Sequence, residues 1–391
     1  MSLAIPYWRL SGFYFFYFAT LGALVPYWAV FLKDRGFDAV EIGSLMAMLM
    51  ASKLVAPNIW GWLADRTGQH MRVVRIAALL AALVFIGVAW ADSFWHMALV
   101  MIGFSFFWHA ALPQFEATTL NHLGSDEHGY TRVRLWGSVG FILTVIGVGM
   151  LMDDLGAAVL PEVLLVLLAS IWLASLITPA KAHADAHLDH GPIWRVLKRP
   201  EVIALLLASF LVQASHGPYY TFFTIHLQEF GYSTGVIGGL WALGVFAEIV
   251  LFLFIPRLVV SVGARRLLVI GLGLTVLRWI MLAYVAHNTA ALVLIQVLHA
   301  ASFGITHAVS IHLVHRYFTG RHQGRGQALY SSLSFGAGGA LGNWIGGYAW
   351  AGVGATGTYL LSALFALFAM ATAWWLMRLR EVPNTRGARV G

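Results

Sequence analysis

Three ionisable side chains, Lys53, Glu248 and Arg278, lie inside long apolar stretches. A fourth polar group, His299, sits in the run Val297-Leu298-His299-Ala300. Facing lipid, each charge costs ~2.5–3.5 kcal/mol at mid-helix, roughly 8–10 kcal/mol for the three. That matches the whole stability of an ordinary protein, ~5–15 kcal/mol. These groups must therefore face a wet cavity or one another. A static buried ion pair is the plain alternative, but such pairs rarely stabilise a protein on balance. An acid, two cations and an imidazole at similar depth can bind an anion and exchange a proton. Whether Glu248 holds a proton then depends on whether Arg278 is engaged with it or elsewhere.

Other chemistry is thinly represented. The chain has no Cys, which removes disulfides and thiol catalysis. There is no activated nucleophile and no phosphate loop, and His312-x-x-His315 lacks an adjacent acid, so an enzyme is not expected. His183, Asp185, His187, Asp189 and His190 form a tract that can bind zinc or nickel. It lacks the four-ligand spacing of a structural site, and we expect no metal site and no cofactor.

The elements that must position these groups are apolar helices. Sixty per cent of the 391 residues are apolar and 10% are charged, against roughly 25% charged in soluble domains. Runs of about 20 apolar residues are needed to span a bilayer. They fall near 8–32, 42–63, 74–91, 95–118, 134–152, 160–178, 202–227, 234–255, 266–286, 290–313, 327–350 and 356–377, numbered here as spans 1 to 12. The first, Phe13 to Leu32 at its most apolar, is too long for a signal peptide and lacks a small-residue cleavage site. Lys53 lies 12 residues before Asp65, about 18 Å from that end of its helix at 1.5 Å per residue. Arg278 and Glu248 come out at comparable depth.

The formal charge of +7 suggests nucleic acid only until its distribution is read. Of 24 Lys and Arg, all but Lys33, Arg35, Lys53 and Arg278 fall in the termini or near the loops after even-numbered spans. By the positive-inside rule both termini are cytoplasmic in a multi-pass inner (plasma) membrane protein, and no nucleic-acid partner is implied.

The longest polar interruption, 179–200, divides the chain into an N-terminal six-helix bundle (1–178), a cytoplasmic central loop (179–200) and a C-terminal six-helix bundle (201–391). A shift of 195 residues carries Leu32, Gly36, Phe37, Ile42, Gly43, Leu45 and Ala47 onto Leu227, Gly231, Tyr232, Ile237, Gly238, Leu240 and Ala242. The same shift places Lys53 on Glu248, so opposite charges occupy equivalent places.

The segment Gly61-Trp-Leu-Ala-Asp65-Arg66-Thr-Gly68-Gln-His-Met-Arg72 resembles the loop motif of the major facilitator superfamily. That resemblance implies an all-α membrane protein, twelve transmembrane helices in two pseudo-symmetric six-helix bundles, with the solute site at mid-membrane between them. It makes this loop a cytoplasmic gate latch, in which Gly61 allows close helix contact and Asp65 can pair with Arg72. The loop after span 8 keeps Gly263, Arg265 and Arg266 but has no acid.

Glu248, Arg278 and His299 are similar in order and context to a Glu, Arg and His of lactose permease, a proton–sugar symporter of the superfamily. Glu116 and Arg134 resemble its sugar-site pair, and Phe141 stands where that protein stacks its sugar. The departures matter as much. The main proton carrier one turn after the His is replaced by Ser302, and the acids of span 7 are replaced by Gln213, His216, Tyr219 and Tyr220. Lys53 has no basic counterpart there.

A nearer resemblance is to the phenylpropionate permease branch. It is carried by Pro26-Tyr-Trp28 with Phe31-Leu-Lys33, Tyr130-Thr-Arg-Val-Arg134-Leu-Trp136, Leu240-Trp241 with Glu248, Arg278-Trp279, Gln296-x-Leu-His299 and Tyr330-Ser331. This resemblance implies proton-coupled import (symport) of an aromatic carboxylate. Lys53 can meet that anion as a point charge. Aromatic residues crowd span 1 (Phe13 to Phe18) and span 7 (Tyr219, Tyr220, Phe222, Phe223), and some can sandwich a ring at ~4.5–7 Å centroid spacing. Six consecutive aromatics point all round a helix, so most face lipid or neighbours.

We therefore expect a monomeric transporter working with a small-molecule substrate, protons and the lipid bilayer. Proton coupling falls to Glu248, Arg278 and His299. Substrate binding falls to Lys53, Glu116, Arg134, Phe141, His216, Tyr220 and Trp241, and gating to Gly61, Asp65, Arg66, Gly68 and Arg72. A proton–sugar or proton–nucleoside symporter resting on Glu116, Arg134 and Phe141 stays open as an alternative, as does a drug/proton antiporter.

Overall fold

The computed structural model describes residues 5–124, 126–181 and 193–376. Among them there is no strand. With no water at mid-membrane to satisfy backbone N–H and C=O groups, a helix closes its own hydrogen bonds. The long helices are α1 (Tyr7–Asp34), α2 (Ala39–Thr67), α3 (His70–Trp90, its end tightened to a 3-10 turn), α4 (Phe94–Leu123), α5 (Glu127–Leu155) and α6 (Leu160–Ile177). After a one-turn helix, Trp194–Leu197, come α7 (Pro200–Glu229), α8 (Thr234–Val262), α9 (Ala264–Val285) and α10 (Thr289–Tyr317). The last apolar run, Gln323–Trp375, is 53 residues long, about twice what one crossing needs. Gly354, at φ +68°, breaks it into α11 (323–353) and α12 (355–376).

The helices overrun the predicted apolar spans by several residues at their polar ends. Side chains in the loops explain this by capping free N–H groups. Asp38 and Glu41 form a reciprocal box that opens α2 at 2.8 and 3.0 Å. Asp126 accepts from Gly129 N at 2.8 Å to open α5, and Asn288 accepts from Ala291 N at 3.0 Å to open α10. Exposed Trp8, Trp62, Trp90, Trp95, Trp194 and Trp375 stand near helix ends, as amphipathic rings do at membrane interfaces.

In the first six helices, α1 packs along α5 and α6, α2 along α4, and α3 along α4 and α6. Among the last six, α7 packs along the α11–α12 run and α8 along α10. The two sets meet through α2 with α11 and α5 with α8. Glycines permit both crossings. A Cβ on Gly43 would lie 2.6 Å from Gly347 Cα, and one on Gly149 would lie 2.6 Å from the Thr234 carbonyl. Beside the second crossing, Asp153 accepts from the N–H groups of Thr234 and Gly235 at 2.6 and 2.8 Å, closing the start of α8. Lys33, ending α1, faces Glu229, ending α7, at 3.6 Å. These contacts all lie at the membrane face opposite the N-terminus, called the distal face below.

Candidate functional site

Four helices of the second set converge near mid-membrane. α8 brings Glu248, α9 brings Arg278, α10 brings His299, and α7 brings His216 with Tyr219 and Tyr220. Glu248 Oε1 lies 2.8 Å from His299 Nε2. Arg278 is completely buried. Its Nε donates to the Ile295 carbonyl at 2.9 Å and its Nη1 to Ser302 Oγ at 3.1 Å. The guanidinium lies over the rings of Tyr219 (4.2 Å) and Trp279 (4.6 Å), contacts that stabilise a desolvated cation. Among the described residues no carboxylate comes within 4.0 Å of Arg278. The acid pairs with the imidazole, and the cation is held by neutral oxygens and rings.

Local backbone makes this possible. Directly after His299 the helix widens to a π turn over Ala300–Ile305, a form often found at functional sites. On the facing helix Gly244 leaves room for the cluster. A Cβ there would come within 3.2 Å of Gln296 Oε1 and His299 Cδ2. Tyr219 donates its hydroxyl to Gln296 Oε1 at 3.0 Å. His216 sits 2.7 Å from the Val212 carbonyl and 3.4 Å from Ser302 Oγ. Tyr220 stacks on Trp241 at 6.2 Å and on His216 at 5.8 Å. Three buried atoms are left without a protein partner: Arg278 Nη2, Gln296 Nε2 and His299 Nδ1. Buried polar atoms are nearly always paired, so this cluster has unused hydrogen-bonding capacity on the Arg278, Gln296 and His299 side chains.

The first set carries looser groups. Arg134 Nε and Glu116 Oε1 are 3.8 Å apart, and both side chains are about a third exposed. Tyr130 donates to Glu116 at 3.4 Å, and Phe18 lies 3.9 Å beneath the Arg134 guanidinium. Phe141, two turns further along α5, is 8% exposed and packed in the core where its backbone meets Gly22. It is not beside the Glu116–Arg134 pair. Lys53 is half-buried on α2. It shares a face with Met50 and Leu54, which meet Gly339 and Gly336 of α11. Val55, Ile59 and Trp62 occupy the exposed, lipid side. Lys53 thus points toward the junction of the two sets. Of the span-1 aromatics, Phe13 and Tyr17 stack on Phe115 and Trp108 of α4.

In the 61–72 segment, Gly61 packs against Gln114 of α4, and Gly68 at φ +65° ends α2. Asp65 lies 3.7 Å from His70, while Arg72 donates to Gln69 at 3.1 Å. The expected Asp65–Arg72 pair is therefore replaced, because His70 opens α3 closer to the acid and is itself held by Gln114 at 2.8 Å. Arg66 stacks on Trp62 at 5.3 Å. The His183–His190 tract lies outside the described residues, and among those described no three His, Cys, Asp or Glu residues cluster as a metal site.

Sequence inspection passed over Ser52 and His109. They join α2 to α4 through a 2.6 Å contact between Ser52 Oγ and His109 Nδ1. The signal that marked His299, an imidazole alone in an apolar span, applies equally to Phe107-Trp108-His109.

Comparison with known proteins identifies the family. The chain is 32% identical to the "Probable 3-phenylpropionic acid transporter" of Escherichia coli (strain K12), over 98% of this chain and all of that protein. It is 28% identical to the maltose permease of Geobacillus stearothermophilus, over 86% of each. The crystal structure of the nucleoside transporter NupG superposes with a TM-score of 0.85 at 17% identity, covering 97% of this chain and all of that one. The MFS_1 like family model matches residues 7–361, and the chain belongs to that family of major facilitator transporters.

Proposed function

We propose that this protein is a proton-coupled symporter importing a small organic anion, an aromatic carboxylic acid such as 3-phenylpropionate, by alternating access. In this reading it works as a monomer in the inner membrane with both termini in the cytoplasm, and residues 1–178 and 201–391 rock about the 179–200 connection. The observation that carries it is a buried guanidinium with an unpartnered Nη2, walled by Tyr219 and Trp279, next to a Glu248–His299 contact of 2.8 Å. A carboxylate fits the free donors of Arg278 and Gln296 and the Lys53 ammonium, and an aromatic ring fits the stack of Tyr220 and Trp241. The similarity to the phenylpropionate transporter supports the same substrate class.

Glu248 carries the proton. Protonation of the Glu248–His299 pair leaves Arg278 or Lys53 to take the substrate carboxylate, and the loaded, neutralised site can be enclosed by the two bundles. The Asp65 segment acts as the cytoplasmic latch, and the Asp153 and glycine contacts close the distal side.

A second reading, a proton–sugar or proton–nucleoside symporter, is favoured by the Glu116–Arg134 pair and by the likeness to the maltose permease and NupG. Proton uptake by de-energised, lightly buffered proteoliposomes separates the two. The solutes are 3-phenylpropionate, simple carboxylates, galactosides and nucleosides, with protein-free vesicles subtracted because permeant acids carry protons unaided. A signal confined to aromatic acids supports the proposal. A signal from galactosides or nucleosides moves the site to Glu116 and Arg134.

A further inference from the structure

The aromatic wall beside Arg278 contains one polar member that the scheme above does not use. Residues 216, 219, 220, 223 and 224 of α7 follow the helical repeat, so they share one face. His216, Tyr219, Tyr220 and Phe223 carry rings, and the last of the set is Thr224. Trp241 of α8 lies against this face. Its ring centroid is 4.7 Å from that of Tyr219, 6.2 Å from Tyr220 and 5.5 Å from Phe223. Its Nε1 donates to Thr224 Oγ1 at 3.2 Å. Trp241 and Thr224 are both buried.

Ring contacts alone leave an indole free to tilt, because χ2 of Trp is a broad torsion. The N–H bond removes that freedom. A buried indole N–H finds an acceptor, since leaving it unpaired costs the desolvation of the donor. The neighbouring Tyr219 hydroxyl is committed to Gln296 at 3.0 Å, and Thr224 supplies the oxygen. Thr224 is β-branched and so restricted at χ1 itself. Held this way, the indole lies within 18° of parallel to Tyr220, which lies within 29° of parallel to His216 at 5.8 Å. Tyr220 is partly exposed. Tyr219 packs on the indole and also lies 4.2 Å from the Arg278 guanidinium. The ring wall and the carboxylate site thus share a side chain.

We infer that Thr224 is a positioning residue for substrate specificity: by pinning the Trp241 indole parallel to Tyr220, it sets the preference for an aromatic acid over a saturated acid of the same length. This rests on the aromatic-acid reading above. Thr224 acts through the indole and needs no contact with the substrate. A flat ring gains from offset stacking on a flat wall beyond the area it buries, and a saturated ring does not. Without the hydroxyl the indole N–H turns towards another acceptor, and the wall loses its common plane. Arg278, Gln296 and Lys53 still meet the carboxylate, so the two kinds of acid are affected unequally.

The test compares binding of 3-phenylpropionate and 3-cyclohexylpropionate to the detergent-purified full chain by calorimetry. The unmutated protein should prefer the aromatic acid. Thr224→Val keeps the shape and removes the acceptor. It should weaken 3-phenylpropionate binding roughly two- to tenfold, the worth of one aromatic pair, and leave the saturated acid unchanged. Thr224→Ser restores the hydroxyl and should keep the preference. Trp241→Phe removes the N–H, so adding Thr224→Val to it strands no donor and should change the preference no further. A preference unaltered by Thr224→Val, an equal fall for both acids, or a further fall in the Trp241→Phe protein overturns the inference and leaves the aromatic-acid reading intact. Equal binding of the two acids by the unmutated protein overturns both.

Discussion

The two bundles treat their central polar groups differently. In the second bundle Arg278 is completely buried, held by two hydrogen bonds and two ring faces, and the nearby acid is 2.8 Å from an imidazole. In the first bundle the Glu116–Arg134 contact is 3.8 Å and a third exposed, and among the described residues no carboxylate pairs with Lys53. Held rigidly out of water, a charge interacts strongly with whatever enters. An exposed pair is worth only ~0.2–1 kcal/mol. In the proposed scheme the second bundle senses the proton, and the first meets a ligand whose charge completes it.

Substitutions can break this contrast, beginning where the effect is largest. Arg278→Lys loses the planar fork and its stacking. Losing two charge-assisted hydrogen bonds at ~1.5–3 kcal/mol each implies at least a hundredfold fall in uptake. Initial rates normalised to membrane expression measure it, and near-normal transport would show that a point charge suffices. Gly149→Leu drives a side chain into the Thr234 carbonyl, 2.6 Å from the Cβ position. It should hold the distal face open. The chain has no Cys, so Val30→Cys, beside Lys33 and Thr234 in a distal cleft, reports opening by faster thiol labelling from that side.

Smaller effects sharpen the contrast. Lys53→Ala removes one charged contact to substrate, ~1.5–3 kcal/mol, which weakens acid binding roughly ten- to hundredfold. An unchanged affinity would remove Lys53 from the site. Arg134→Gln should alter thermal stability by less than ~1 kcal/mol and leave aromatic-acid affinity within a fewfold. Complete loss of acid binding by that variant would make the first bundle's ion pair the true site.

Much of this was legible in the sequence for a simple reason. Apolar length and lone charges are penalised residue by residue, so Lys53, Glu248, Arg278 and His299 announce themselves without any knowledge of packing. Pairing is not local in that way. The sequence invited Asp65 to meet Arg72, yet the start of α3 places His70 between them. That Gly22 lets α1 close onto the backbone of Phe141 is likewise a contact between distant positions that the pattern of neither helix encodes. Ser52 and His109 meet across 57 positions, a contact that neither helix's pattern encodes. The break between the last two spans was readable because 53 residues exceed one crossing, while its location depended on Gly354 adopting positive φ.

The central claim is that Glu248 couples the proton to the solute. Its most direct test compares uphill accumulation with counterflow of labelled 3-phenylpropionate in proteoliposomes bearing Glu248→Gln. Accumulation driven by a proton gradient should be abolished while equilibrium exchange survives, because the amide mimics the protonated acid and cannot release a proton. Full uphill accumulation by that protein would contradict the account.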